Sequence, residues 1–130
     1  MQQSEFLASR KTILIVDDDK QILTLVSRIM ARKLDYNILT ADSALLGIQQ
    51  SRDFKGRIHL LLSDFQMPGM SGVELATAIT LERPNIKVLL MSGFTEGTLI
   101  LNEGWHFLAK PFLYSQLRAL VTGLIADQPL

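Results

Sequence analysis

Cysteine is absent from this 130-residue chain. That removes disulfides, thiolate catalysis and cysteine-bound zinc, and it suits a reducing cytosol. An excess of charge is missing too, since 13 lysines and arginines balance 13 aspartates and glutamates. The sequence therefore offers no electrostatic footprint for direct nucleic-acid binding. No apolar run approaches the roughly 18 residues needed to span a bilayer, and Met1 to Arg10 lack the apolar core of a signal peptide. Neither Gly-x-x-x-x-Gly-Lys-Ser/Thr nor Gly-x-Gly-x-x-Gly occurs, so a nucleotide-binding reading loses its main support. Histidine is scarce, and His59 and His106 have no second histidine at ligand spacing. Both stand at strand starts, where they are expected to face solvent or cap backbone groups.

What is present is the alternation of an α/β domain. A hydrophobic content of 48% with mean hydropathy of +0.22 suits one compact unit, and a chain of this length buries roughly two-thirds of its unfolded surface. Strand-like runs at Ile13–Val16, Tyr36–Thr40, Ile58–Ser63, Ile86–Met91 and Trp105–Ala109 alternate with amphipathic stretches. The latter run from Lys20 to Lys33, Ala44 to Ser51 behind a Ser43 N-cap, about Val73 to Arg83 before Pro84, and Leu113 to Ile125. Such βα repetition predicts a single doubly wound parallel sheet. Residues 1–10 read as an N-terminal extension, 11–126 as the domain and 127–130 as a tail.

Polar residues sit at the ends of four of these runs: Asp17 and Asp18, Asp64, Ser92, and Lys110. In a parallel sheet with right-handed crossovers all strand C-termini share one edge, and ligands bind there. Each residue also has a structural reading: Asp18 or Asp19 as a helix N-cap, Ser92 as a turn residue, Lys110 as a solvated charge. Together they point to a divalent-metal pocket, because three converging carboxylates repel unless a cation joins them. Oxygen donors suit Mg²⁺ or Mn²⁺. Asp64 is the best nucleophile for an acyl phosphate, since the loop Phe65-Gln66-Met67-Pro68-Gly69 leaves its carboxylate open. Lys110 and the metal would supply positive charge, and Ser92 a hydrogen bond, to an arriving phosphoryl group.

The segments Ile13-Leu-Ile-Val-Asp-Asp-Asp19, Ser63-Asp-Phe-Gln-Met-Pro-Gly-Met-Ser-Gly72, Leu90-Met-Ser-Gly93 and Phe107-Leu-Ala-Lys-Pro-Phe112 resemble receiver domains of two-component response regulators. The resemblance runs from about Lys11 to Ile125. It implies a flavodoxin-like (βα)₅ fold with strand order 2-1-3-4-5 and an aspartate that takes a phosphoryl group from a phosphohistidine. By motif position Asp64 resembles the phosphoacceptor, Asp18 a direct metal ligand and Asp17 the acid holding a metal-bound water. Gln66 resembles the residue lending its backbone carbonyl to the metal. Ser92 matches the switch hydroxyl, Lys110 the phosphate-pairing lysine and Phe107 the aromatic that swings inward on activation. A cis Lys110–Pro111 bond is implied as well. The implied partners are a histidine kinase or histidine phosphotransfer domain, with no direct nucleic acid. The implied location is the cytoplasm, free or tethered through a larger hybrid kinase. The chain is then a switch rather than a metabolic enzyme, catalysing only its own phosphorylation and slow dephosphorylation. The alternatives are a phosphate-independent interaction module and an aspartyl-phosphate hydrolase, whose extra acid/base would stand where Gln66 does.

The sequence also departs from the family pattern. Ser92 to Lys110 spans eighteen positions, short of typical receivers by about one helical turn of roughly 3.6 residues. A shortened fourth helix, between the fourth and fifth strands, is expected, and the usual dimer is not carried over. Phe94 is expected at the pocket mouth, limiting water access. The Met-Ser-Gly-Phe-Thr-Glu run resembles receivers fused to hybrid histidine kinases. Met67 and Met70 are expected to pack over their loop, Lys20 to be helix-surface charge, and Trp105 to be a strand-edge anchor or an exposed patch residue.

Overall fold

Runs of leucine, isoleucine and valine form the strands: β1 (Lys11–Val16), β2 (Tyr36–Ala41), β3 (Leu60–Asp64), β4 (Lys87–Ser92) and β5 (Trp105–Ala109). The computed structural model describes residues 10–31, 36–93, 104–126 and 128–130. All strand pairs are parallel, in the order β2-β1-β3-β4-β5, the flavodoxin-like order. The helices among the described residues are α1 (Lys20–Ala31), α2 (Ala44–Asp53), α3 (Gly72–Glu82) and α4 (Tyr114–Ala126).

The period-2 geometry of a strand divides its side chains between two faces. Ile13, Ile15, Leu60, Leu62, Leu89 and Met91 pack against Val26 and Met30 of α1 and Leu117, Val121 and Ile125 of α4. Leu14, Val16, Leu61, Val88 and Leu90 face Ala44 of α2 and Leu75, Ala76 and Ile79 of α3. The central strands are buried on both sides, which is why they read as continuous apolar runs. Caps fix where the helices begin. Ser43 accepts from the Leu46 N–H, and Ser71 and Glu74 form a reciprocal capping box at α3. Of the two candidates at α1, Asp19 is the cap: its Oδ1 accepts from the N–H groups of Gln21 and Ile22 at 2.9 and 3.3 Å.

Several sequence expectations change here. Trp105 is 8% exposed and belongs to the core beside α2 and α3, so it is not an exposed patch residue. For His59 the second of its two expected roles holds: it is buried, and both ring nitrogens meet backbone groups. His106 is half-buried. The expectations of a first helix running on to Lys33, of a shortened helix between β4 and β5, and of Phe94 at the pocket mouth all lie outside the described residues.

Arg83, which caps the end of α3, has no counterpart in the sequence reading. Its guanidinium donates to Ser51 Oγ at 3.0 Å and to the carbonyls of Ser51, Phe54 and Gly56 at 2.7, 2.9 and 2.9 Å. It thereby holds the end of α2 against α3. A planar fork of donors is required, which an ammonium does not offer. Arg83→Ala is expected to destabilise the fold by about 2 kcal/mol, read as a lower urea midpoint at unchanged slope. Arg83→Lys should recover less than half of that loss.

Candidate functional site

The β1, β3, β4 and β5 C-termini meet at one edge because every strand runs the same way. Backbone bonds pin the residues just past them. Asp17 N–H donates to Ala41 O at 3.1 Å, Phe65 N–H to Met91 O at 2.7 Å, and Lys110 N–H to Ser92 O at 2.6 Å. The side chains that follow are therefore set by the sheet itself. One carboxylate oxygen from each of Asp17, Asp18 and Asp64 lies within 4.8 Å of the others. Asp17 is buried, Asp64 half-buried and Asp18 exposed, so the cluster opens outward. Lys110 Nζ stands 3.2 Å from Asp64 Oδ1.

Asp17 has an unbalanced environment. Its Oδ1 accepts from the Asp19 N–H at 2.9 Å, while Oδ2 is buried with no hydrogen-bond partner among the described residues. Burial pushes its carboxyl up to about 6 from 3.8, the Asp64 and Asp18 charges add to the rise, and the Asp19 N–H and Lys110 oppose it. A buried oxygen without a partner beside two more carboxylates is what a hard divalent cation satisfies. The residues present therefore fit Mg²⁺ or Mn²⁺.

The remaining predicted residues are placed as follows. Ser92 ends β4 and is 3% exposed. Gln66 is exposed in the loop two residues beyond Asp64. Phe107 is half-buried on β5, its ring meeting Phe65 edge-on at 6.4 Å and 88°. Lys110–Pro111 is cis. Met67 and Met70 pack partly onto the core, and Lys20 is exposed beside Asp42 at 3.7 Å.

Two residues that hold Asp64 were not singled out in the sequence. Ser63 is fully buried and its hydroxyl donates to the Asp64 carbonyl at 2.9 Å. Gly72 donates its N–H to Phe65 O at 2.9 Å. A Cβ on Gly72 would collide with the Asp64 carbonyl oxygen and stand 3.0 Å from Phe65 Cα. The available signal was a glycine in the first turn of a helix directly behind a serine cap, where alanine is otherwise the better residue.

Two outcomes follow from this geometry. Because its folded pKa is raised, Asp17 contributes stability below pH 3.8 that is lost as pH rises towards about 6. Without metal, Asp17→Asn should therefore match wild type near pH 4 and exceed it at pH 7 by about 2 to 3 kcal/mol in urea melts. Gly72→Ala, which would stabilise an ordinary helix, should here destabilise by about 1 to 3 kcal/mol and weaken divalent-cation binding.

The comparisons agree with this arrangement. The sequence model of the response regulator receiver domain family matches residues 13–122. The rice two-component response regulator ORR26 (Oryza sativa subsp. japonica) is 31% identical over 82% of this chain and 19% of its own length. The sensor kinase CckA of Brucella abortus is 26% identical over 94% of this chain and 13% of its own. The chain thus spans less than a fifth of either relative. Among solved structures, a CheY-like response regulator receiver domain protein from Methanospirillum hungatei superposes with a TM-score of 0.79 at 27% identity. That superposition covers 92% of this chain and 96% of that one. No helix among the described residues is long and apolar enough to cross a membrane. With the family pattern matched along most of the chain and the same fold in its structural neighbours, the chain belongs to the response regulator receiver domains of two-component signalling.

Proposed function

We propose that this domain is a phosphorylation-controlled switch: Asp64 accepts a phosphoryl group from a phosphohistidine on a histidine kinase or histidine phosphotransfer domain. The observation that carries the reading is the Lys110 ammonium on Asp64 Oδ1, beside Asp17 and Asp18 carboxylates with one buried oxygen unsatisfied. In this reading Asp18, Asp64 and the Gln66 carbonyl hold the cation, and Asp17 holds a metal-bound water. A bound Mg²⁺ or Mn²⁺ would neutralise the acids and share the charge of the phosphoryl oxygens. An Asp64 carboxylate oxygen attacks phosphorus, the P–N bond breaks, and the bonding electrons return to the imidazole nitrogen. Lys110 follows the charge onto the new phosphoryl oxygens, and Ser92 donates a hydrogen bond to them. Phe107 then turns towards the space Ser92 leaves, a shift in population between two packings.

Access is supported by an apolar groove of about 400 Å³ beside Lys110, lined by Ile22, Leu25, Val26, Ile29, Phe112 and Tyr114. A phosphohistidine-bearing partner can seat there and reach Asp64. In this proposal residues 11–126 constitute the switch, and hydrolysis of the acyl phosphate is slow. The test is intact-protein mass spectrometry after incubation with a small phosphodonor, with and without Mg²⁺, beside Asp64→Asn. One Mg²⁺-dependent adduct in wild type and none in the variant is expected. Absence of any adduct in folded protein would favour the phosphate-independent interaction module. Steady turnover of phosphate esters would favour a hydrolase.

A further inference from the structure

The base of the sheet, opposite the acidic cluster, carries a second polar assembly. His59 directly precedes β3 and is 1% exposed. Its own N–H donates to Thr12 O at 2.8 Å, and the Thr12 N–H donates back to His59 Nδ1 at 3.0 Å. Nδ1 therefore bears no hydrogen. The hydrogen sits on Nε2, which donates to Pro129 O at 2.8 Å. Gln128, in the same segment after α4, is 9% exposed and spends its whole amide here. Its Nε2 donates to His59 O at 3.1 Å and Leu124 O at 2.9 Å, and its Oε1 accepts from Arg57 at 3.2 Å. Lys11 Nζ donates to Ile125 O at 2.9 Å and Ala126 O at 3.2 Å, closing the end of α4.

We propose that His59 and the segment Gln128–Leu130 form a proton-sensitive clasp: neutral His59 seats the segment against the starts of β1 and β3, and protonation of His59 releases it. The reason is geometric. A proton on Nδ1 would face the Thr12 N–H, donor against donor, at a buried contact. Thr12 is fixed in β1, so the ring must leave its slot, and the contact with Pro129 leaves with it. The surrounding charges act in the same sense. Lys11 comes from β1 with Arg10 just before it, Arg57 from the loop before β3, and Lys87 from the start of β4. The last turn of α4 carries no basic residue. Burial first, then Arg57 and Lys11, hold the His59 pKa below 6.5, with the Pro129 carbonyl opposing. A group whose folded pKa is lowered favours opening as pH falls below its free value.

The test is an NMR pH titration of the full chain from 8 to 5, following the His59 ring, the Thr12 amide and the Gln128 side-chain amide. All three should change with one midpoint below pH 6.5, while amides in the middle of β3 and β4 stay protected. His59→Gln keeps an acceptor and a donor without titrating, and should abolish the step. A ring that titrates while Thr12 and Gln128 stay still would overturn the clasp. So would a step that persists in His59→Gln, because another group would then own it. Should His59→Gln fail to fold, separate midpoints for ring and segment in wild type overturn it equally.

Discussion

The mutual repulsion of Asp17, Asp18 and Asp64 is the constraint around which this molecule is arranged. Three carboxylate oxygens within 4.8 Å of one another have no reason to stay together in a metal-free protein. They are held because the strands that deliver them are buried on both faces and cross-bonded up to their last residues. Core burial thus provides the stability, and the sheet edge is where some of it is given up. Lys110 offsets part of the repulsion at Asp64, but Asp17 lies deeper and keeps an oxygen with no partner among the described residues. The cluster could hold a hard cation because the fold brings the acids together beforehand.

That imbalance links the acidic cluster to the backbone around it. Asp64 sits between two restraints, the Ser63 hydroxyl on its carbonyl and the bare backbone of Gly72 against the same oxygen. Phe65 carries the connection to β5 through the edge-on contact with Phe107. A change of charge at Asp64 is therefore felt through rigid backbone on one side and an aromatic pair on the other. Such geometry suits a switch, in which few groups move against a fixed frame.

Much of this was legible in the sequence. The β-branched and leucine runs marked all five strands, and a polar residue at the end of each of four runs marked the edge where the site forms. Ser43 and Pro84 marked helix boundaries correctly, since capping and proline chemistry are local. What stayed hidden depended on distant partners. His59 is satisfied by Pro129, 70 positions away, and nothing beside His59 in the chain announces that. Arg83 entered only as the end of a predicted helix, yet its partners lie 27 to 32 positions earlier. Trp105 could not be oriented because an edge strand leaves one side open, and only packing decides which face is covered. Gly72 stood in a motif without a role of its own, while its function is the close approach of Asp64 and Phe65.

On this reading the three acids form one divalent-cation site, strained by their own charge. Isothermal calorimetry of Mg²⁺ binding to the purified chain, with Asp18→Ala beside it, tests this. Saturable binding of one ion per chain, lost in the variant, is expected. No saturable heat in folded wild-type protein, or equal binding by Asp18→Ala, would contradict it.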